Sequence, residues 1–218
     1  MTLKNAQKNA WKLFIIAGIA VAYFDLLTYP IVALGIPLVL FICIMIKENA
    51  TIKKITYESG CCTLFWFISY LGMWAGKWLV ASLLTHTNVF NDANSAIKFR
   101  TNGQYSDLKI SPLVAIGKNI LSSVKGQKHL ILLVGVFLSI LLLIGFAKKI
   151  CSIKFRPISL LLLVVGLYPF VWYCIVQNHS VIHSWMTYRD FSITMFAILV
   201  FIAMNIYYTD SSPLHFFE

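Results

Sequence analysis

The chain has 218 residues, of which 59% are apolar and only 12% are Asp, Glu, Lys or Arg, against about 25% charged residues in a soluble domain. Together with a mean hydropathy of +0.79, this excludes a water-soluble globular domain and predicts an all-α integral membrane bundle forming one transmembrane domain over 1–218. The net charge of +10, from 18 basic and 8 acidic residues, does not imply nucleic acid as a partner, because the basic residues sit mainly between apolar runs, where they set topology and meet membrane lipid headgroups.

The first apolar stretch, Leu13 to Ile46, is too long for one untilted helix and slightly short for two. Asp25 and Pro30 decide between these. A carboxylate at mid-bilayer costs about 2.5–3.5 kcal/mol, and a tight turn outside the membrane removes that cost. Two short spans are therefore expected near 12–26 and 30–46, with Pro37 placed to kink the second. Lys4, Lys8 and Lys12 before Leu13–Phe24 resemble the start of a signal peptide, but a second apolar run follows directly, so the reading is a first span or signal anchor.

The polar segment 47–58, with Lys47, Lys53 and Lys54, reads as a loop. A third span is expected near 60–84. Gly72 and Gly76 in it form a GxxxG pair suited to close helix approach. Lys77 in the same run is a polar intramembrane residue. It either snorkels to the interface or pairs with a buried carboxylate such as Asp25.

Residues 86–127 form the one long polar region. Asn88 to Arg100 suits a surface helix, a turn follows at 101–103, and Leu113, Ile116, Ile120, Leu121 and Val124 recur at helical spacing. That spacing predicts a helix lying in the membrane interface. Further spans are expected near 129–147, 158–176 (with Pro169 near its outer end) and 191–208, with a polar hairpin over 177–190.

The total is about six transmembrane helices. Lys4, Lys8, Lys12, Lys47, Lys53, Lys54, Lys148, Lys149, Lys154 and Arg156 fall on one side, so both termini are expected to be cytoplasmic. Trp11, Trp78, Trp172, Tyr173, Tyr207 and Tyr208 near span ends read as an aromatic belt.

The five cysteines, Cys43, Cys61, Cys62, Cys151 and Cys174, form no CxxC pair and read as free thiols. No metal site is expected. His179 and His183 are two potential ligands, and no HExxH motif or acidic helix supplies the rest. No Walker, GxGxxG or GxSxG signature appears, and no cofactor is expected.

Chemistry concentrates on the outer side. His179 and His183, four apart, share a helix face, and Tyr188 and Arg189 follow. Arginine suits paired contacts with phosphate oxygens, and histidine can bond a phosphate or shuttle a proton. The same residues also fit a solvated hairpin touching headgroups. Asp25 is a candidate catalytic base or metal ligand, or else a cap in a turn.

Several strings occur together: Tyr23-Phe-Asp-Leu-Leu-Thr-Tyr-Pro30, Gly72-Met-Trp-Ala-Gly-Lys-Trp78, Asn88-Val-Phe, Ala96-Ile-Lys-Phe-Arg100, Asn178-His-Ser-Val-Ile-His183 and Thr187-Tyr-Arg189. Their order, over about residues 13–200, resembles the C-terminal half of a family of bacterial multi-pass membrane proteins. That family is similar to glycosyltransferases of the GT-C type, which use polyprenyl-phosphate-linked sugars in cell-envelope polysaccharide assembly.

The resemblance implies a bacterial plasma membrane location and a lipid-linked sugar as partner. It also implies phosphate binding by Arg100, His179, His183 and Arg189, with Asp25 as base or acceptor-orienting group. The acidic first outer loop of such enzymes would precede this chain. The expectation is therefore a truncated or reduced relative, inactive alone if the catalytic acid lies in the missing half.

The rival reading is non-enzymatic: a transporter, a flippase-like subunit or a scaffold of an envelope complex. It gains from the missing acidic loop. It loses from the absence of an inverted repeat and the few ionisable residues at mid-bilayer.

Overall fold

The computed structural model describes residues 9–24, 28–102, 110–125 and 151–208, with short helical pieces at 135–136, 139–140, 142–143 and 145. Among these residues the fold is helical, apart from one short ladder. In chain order the helices are α1 (Ala10–Phe24), α2 (Val32–Lys47), α3 (Ile52–Thr85), α4 (Val89–Asn102), α5 (Pro112–Lys125), α6 (Leu160–Gly166), α7 (Tyr168–Ile175), α8 (Gln177–Ile182), α9 (Ser184–Thr187) and α10 (Phe191–Asn205). Single 3₁₀ turns at Pro157–Ser159 and Tyr188–Asp190 lead into α6 and α10. Strands β1 (Cys151–Ile153) and β2 (Ile206–Tyr208) pair antiparallel, Cys151 opposite Tyr208.

Among the described residues three stretches are long and apolar enough to cross a membrane: α3 with 34 residues, Pro157–Ile175 with 19 and Ser184–Asn205 with 22. These residues do not support the count of about six. α1 and α2 fall near the expected places but have 15 and 16 residues. At 1.5 Å per residue they are about 22 and 24 Å long, short of the roughly 30 Å hydrocarbon thickness. The span expected near 129–147 falls mostly outside the described residues, as does the turn at Asp25.

A second correction concerns 47–58. Only its first residues form a loop, because Thr51 caps α3 by accepting from the Lys54 N–H at 3.4 Å. The helix therefore starts a full two turns before the apolar run. α2 runs through Pro37 as one helix.

α1 and α3 lie side by side in the same direction. Trp11 meets Phe65 with ring centroids 5.6 Å apart, and Lys77 reaches the last turn of α1. α2 returns antiparallel beside them, with Phe14 edge-on to Phe41. Lipid tails are as apolar as leucine, so such helices are held by close packing and hydrogen bonds rather than by burial from water. The buried stripe of α1 is Ala10, Phe14, Gly18 and Ala22. Gly18 is the point of closest approach: a Cβ there would stand 2.5 Å from the Trp66 carbonyl oxygen.

Among the described residues the predicted GxxxG contact is not made: a Cβ at Gly72 or Gly76 would meet none of them within 4 Å. The small-xxx-small pair that packs is Gly18 and Ala22, on the other helix.

α10 runs antiparallel to α6. The Thr194 hydroxyl donates to the Gly166 carbonyl at 2.7 Å, and the Asn205 amide donates to the Ser159 hydroxyl at 2.9 Å. Gly35 of α2 lies against Ile193. These contacts separate two ends of the molecule. One carries Lys12, Lys47, Lys53, Lys54, Lys154 and Arg156. The other carries the 177–190 segment, α4 and α5.

Candidate functional site

Between its last two long helical stretches the chain does not make a simple turn. Pro169 opens α7 after a break at Leu167. The helix then breaks again at Val176 (φ −105°, ψ 48°) and at His183 (φ −104°, ψ 27°). The resulting short helices α8 and α9 are folded inward: Asn178, His179, Ser180, Thr187 and Asp190 are all buried. A hairpin that merely contacts water would leave these groups exposed. Backbone freed at such breaks must find partners inside the protein.

Asn119 of α5 supplies them. Its side chain is fully buried. Its amide donates to the Ala115 and Ser180 carbonyls, each at 2.9 Å, and its oxygen accepts from the Thr187 hydroxyl at 2.7 Å. Thr187 also donates to the His183 carbonyl at 3.1 Å, and the Tyr173 hydroxyl donates to the Thr187 carbonyl at 2.8 Å. Tyr173 and Trp172 are thus core residues, not members of an aromatic belt.

α5 forms where its apolar spacing predicts, but Leu113 is 80% exposed and Leu121 60%, while Ala115 and Asn119 are inside. Its apolar face points outward and its polar contact points inward, the reverse of a helix in water.

α4 docks on the same segment. Asn178 donates its amide to the Phe99 carbonyl, and Gln177 donates to the Asn102 side-chain oxygen at 2.7 Å. The turn of α4 that carries Arg100 is thereby fixed against α8. The His179 and His183 rings lie with centroids 4.7 Å apart, His179 buried and His183 half-buried. Arg189 is exposed, and its guanidinium lies 5.5 Å from the centre of the Tyr29 ring, within cation–π range. Gln177 Oε1, Asn178 Oδ1 and Ser180 Oγ are buried with no hydrogen-bond partner among the described residues.

Of the residues singled out from sequence, the structure brings His179 and His183 together and holds the Arg100 turn beside them. Arg189 is turned towards the start of α2. Asp25 lies outside the described residues. Lys77 is elsewhere: its ammonium donates to the Ala22 carbonyl at 2.6 Å and the Tyr23 carbonyl at 3.2 Å, with the Trp74 ring at 4.8 Å and the Tyr23 ring at 5.3 Å. It caps the carbonyl end of α1, where the helix dipole is negative.

Lys77→Met should therefore loosen that end by about 1–2 kcal/mol, read as faster amide exchange over Val21–Phe24, with Lys77→Arg close to wild type. Unchanged exchange in Lys77→Met would show that the cap carries no energy.

Sequence reasoning missed Asn119, Thr187 and Tyr173 as a unit. The available signal was a single Asn one turn after Ala115, out of phase with the leucines and isoleucines of α5. Among the described residues no three His, Cys, Asp or Glu side chains are grouped to hold a metal ion. Comparison of the chain with family models, curated proteins and solved structures finds no match.

Proposed function

We propose that this chain is a multi-pass membrane protein that holds the phosphate of a polyprenyl-linked sugar at the outer membrane face, as part of a GT-C-like glycosyltransferase system of the bacterial cell envelope. The observation that carries the reading is the packed, broken-helix segment 177–190. It holds two histidine rings 4.7 Å apart and an exposed arginine at one end of the molecule. A phosphate leaving group develops negative charge, and fixed cations and donors stabilise it. Arg189 and Arg100 supply charge, and His179 and His183 supply hydrogen bonds. Asp25 acts as base or orients the acceptor.

In this reading the basic end faces the cytoplasm, and both termini lie there. About six helices span or enter the bilayer, and α4 and α5 lie in its outer interface. The surrounding lipids contact the outward apolar face of α5.

The test is binding of a polyprenyl phosphate to purified protein in nanodiscs. Arg189→Ala removes a charged hydrogen-bonding group, worth roughly 1.5–3 kcal/mol, and should weaken binding by about tenfold or more. His183→Ala should weaken it by a few-fold. Equal, weak binding by all three proteins would sink the site.

A second reading is favoured by the buried, unpartnered oxygens of Gln177, Asn178 and Ser180. Broken helices with free polar groups are also how transporters and flippases build sites. Movement of labelled lipid across proteoliposomes, without sugar transfer, would select it.

A further inference from the structure

A half-open groove of about 250 Å³ lies between α2, α3 and α7, lined by Ile31, Phe67, Tyr168, Val171, Trp172 and Ile175. Thr63 closes its far end through a hydroxyl contact to Tyr168 at 3.2 Å. We propose that this groove holds the hydrocarbon chain of a phosphate-headed lipid whose headgroup is held at Arg189; the phosphate part of this inference rests on the function proposed above.

Three observations converge on that occupant. First, two of the groove's walls belong to stretches long and apolar enough to cross a membrane, α3 and Pro157–Ile175. A groove between such helices opens to hydrocarbon, and its apolar lining gives water too few of the two to four polar partners it needs. Second, the groove has a charged head. Ile31 stands two residues after Tyr29, whose ring carries the Arg189 guanidinium. Ile175, on the opposite wall, stands two residues before Gln177, where the 177–190 segment begins. An apolar slot that starts under an exposed cation matches a lipid with an anionic head and an apolar tail. Third, Trp172, 7% exposed, adds a largely buried aromatic wall to the groove, a surface that suits hydrocarbon rather than water.

The test uses the full chain in nanodiscs with two photoreactive probes of equal chain length, a prenyl phosphate and the neutral prenol. Each carries its photoreactive group in the chain. In wild type the phosphate probe should label Phe67 and the stretch Tyr168–Ile175. Val171→Trp fills the groove from an exposed position and should cut that labelling by about tenfold through steric exclusion. Leu199→Trp, exposed on α10, should leave it unchanged. Ile175→Phe serves as a second filling variant if Val171→Trp unfolds.

Label spread over α5 and α10 and equal in both tryptophan variants would overturn the groove. Wild-type affinity for the phosphate probe in the filled variant would also overturn it and leave the phosphate site standing. Equal groove labelling by the neutral prenol would keep the groove and overturn the phosphate reading.

Discussion

Gly18→Leu should separate α1 from α3 and produce the largest loss of stability of any single substitution in the bundle. A Cβ at position 18 would meet the Ser69 hydroxyl at 2.2 Å, the Trp66 carbonyl oxygen at 2.5 Å and the Tyr70 nitrogen at 3.2 Å. The Ser69 side chain can rotate away. The Trp66 carbonyl belongs to the helix backbone and cannot. Even Gly18→Ala should cost about 1–3 kcal/mol as overpacking, and leucine should cost more, because two helices without a burial force in lipid have only this contact surface to lose.

Gly72→Ala and Gly76→Ala are the controls. A Cβ at either position meets none of the described residues within 4 Å, so both should stay within about 0.5 kcal/mol of wild type. Denaturant titration in detergent gives the order. If Gly72→Ala destabilised and Gly18→Leu did not, the α1–α3 contact would be refuted and the GxxxG face of α3 would be the packed one.

Removing Asn119 should release α5 from the 177–190 segment. Asn119→Ala takes the donor from the Ser180 carbonyl and one acceptor from the Thr187 hydroxyl, all of them buried. Polar contacts between membrane helices average about 0.6 kcal/mol with a maximum near 1.7, whereas a stranded buried group costs about 1–3. Asn119 makes three bonds, and its loss strands the Ser180 carbonyl while the Thr187 hydroxyl keeps the His183 carbonyl, so the cost should be roughly 1–2 kcal/mol.

Amide exchange should rise across Pro112–Lys125 and across Gln177–Thr187 together. Thr187→Val should cost less, because Asn119 keeps its bonds to Ala115 and Ser180. The double variant Asn119→Ala/Thr187→Val should fall short of the sum of the two. Strict additivity, or exchange confined to α5, would show that Asn119 does not link the two elements.

The Asn119 variant also bears on the candidate site. His183 is the residue where the helix breaks, and its carbonyl accepts from Thr187. Loosening Thr187 should let the His179–His183 pair drift apart, so phosphate-lipid binding should weaken although Asn119 touches neither ring. This is a positioning effect, and it should appear in binding before any loss of overall fold.

Part of the site was legible because it is local. The i, i+4 spacing of His179 and His183 places them on one face, and the ring contact follows even though the helix breaks at His183. The surface helix ending near Arg100 was legible from its polarity and from the turn residues expected after it. The docking of α4 on α8 was not, because it depends on Asn178 and Gln177 reaching residues far away in sequence. Arg189 was legible as an exposed cation, but its stacking on Tyr29 depends on where α2 begins. Lys77 was legible as a costly intramembrane charge, and its remedy proved to be backbone carbonyls of another helix.

The sequence by itself pointed to a helical chain with runs apolar enough to cross a membrane. A long apolar run leaves its backbone only internal partners in lipid, and the structure is helical, with three such stretches among the described residues. The sequence also located most helices to within a few residues, since charges and prolines interrupt the runs. Only the tertiary structure decided which faces pack. In lipid, apolar side chains look the same towards a neighbour or towards the bilayer, so hydropathy cannot say that Gly18 packs and Gly72 does not, or that α5 turns Leu113 outward and Asn119 inward. Those choices are set by steric fit and by hydrogen bonds between distant residues, and neither is visible until the helices stand side by side.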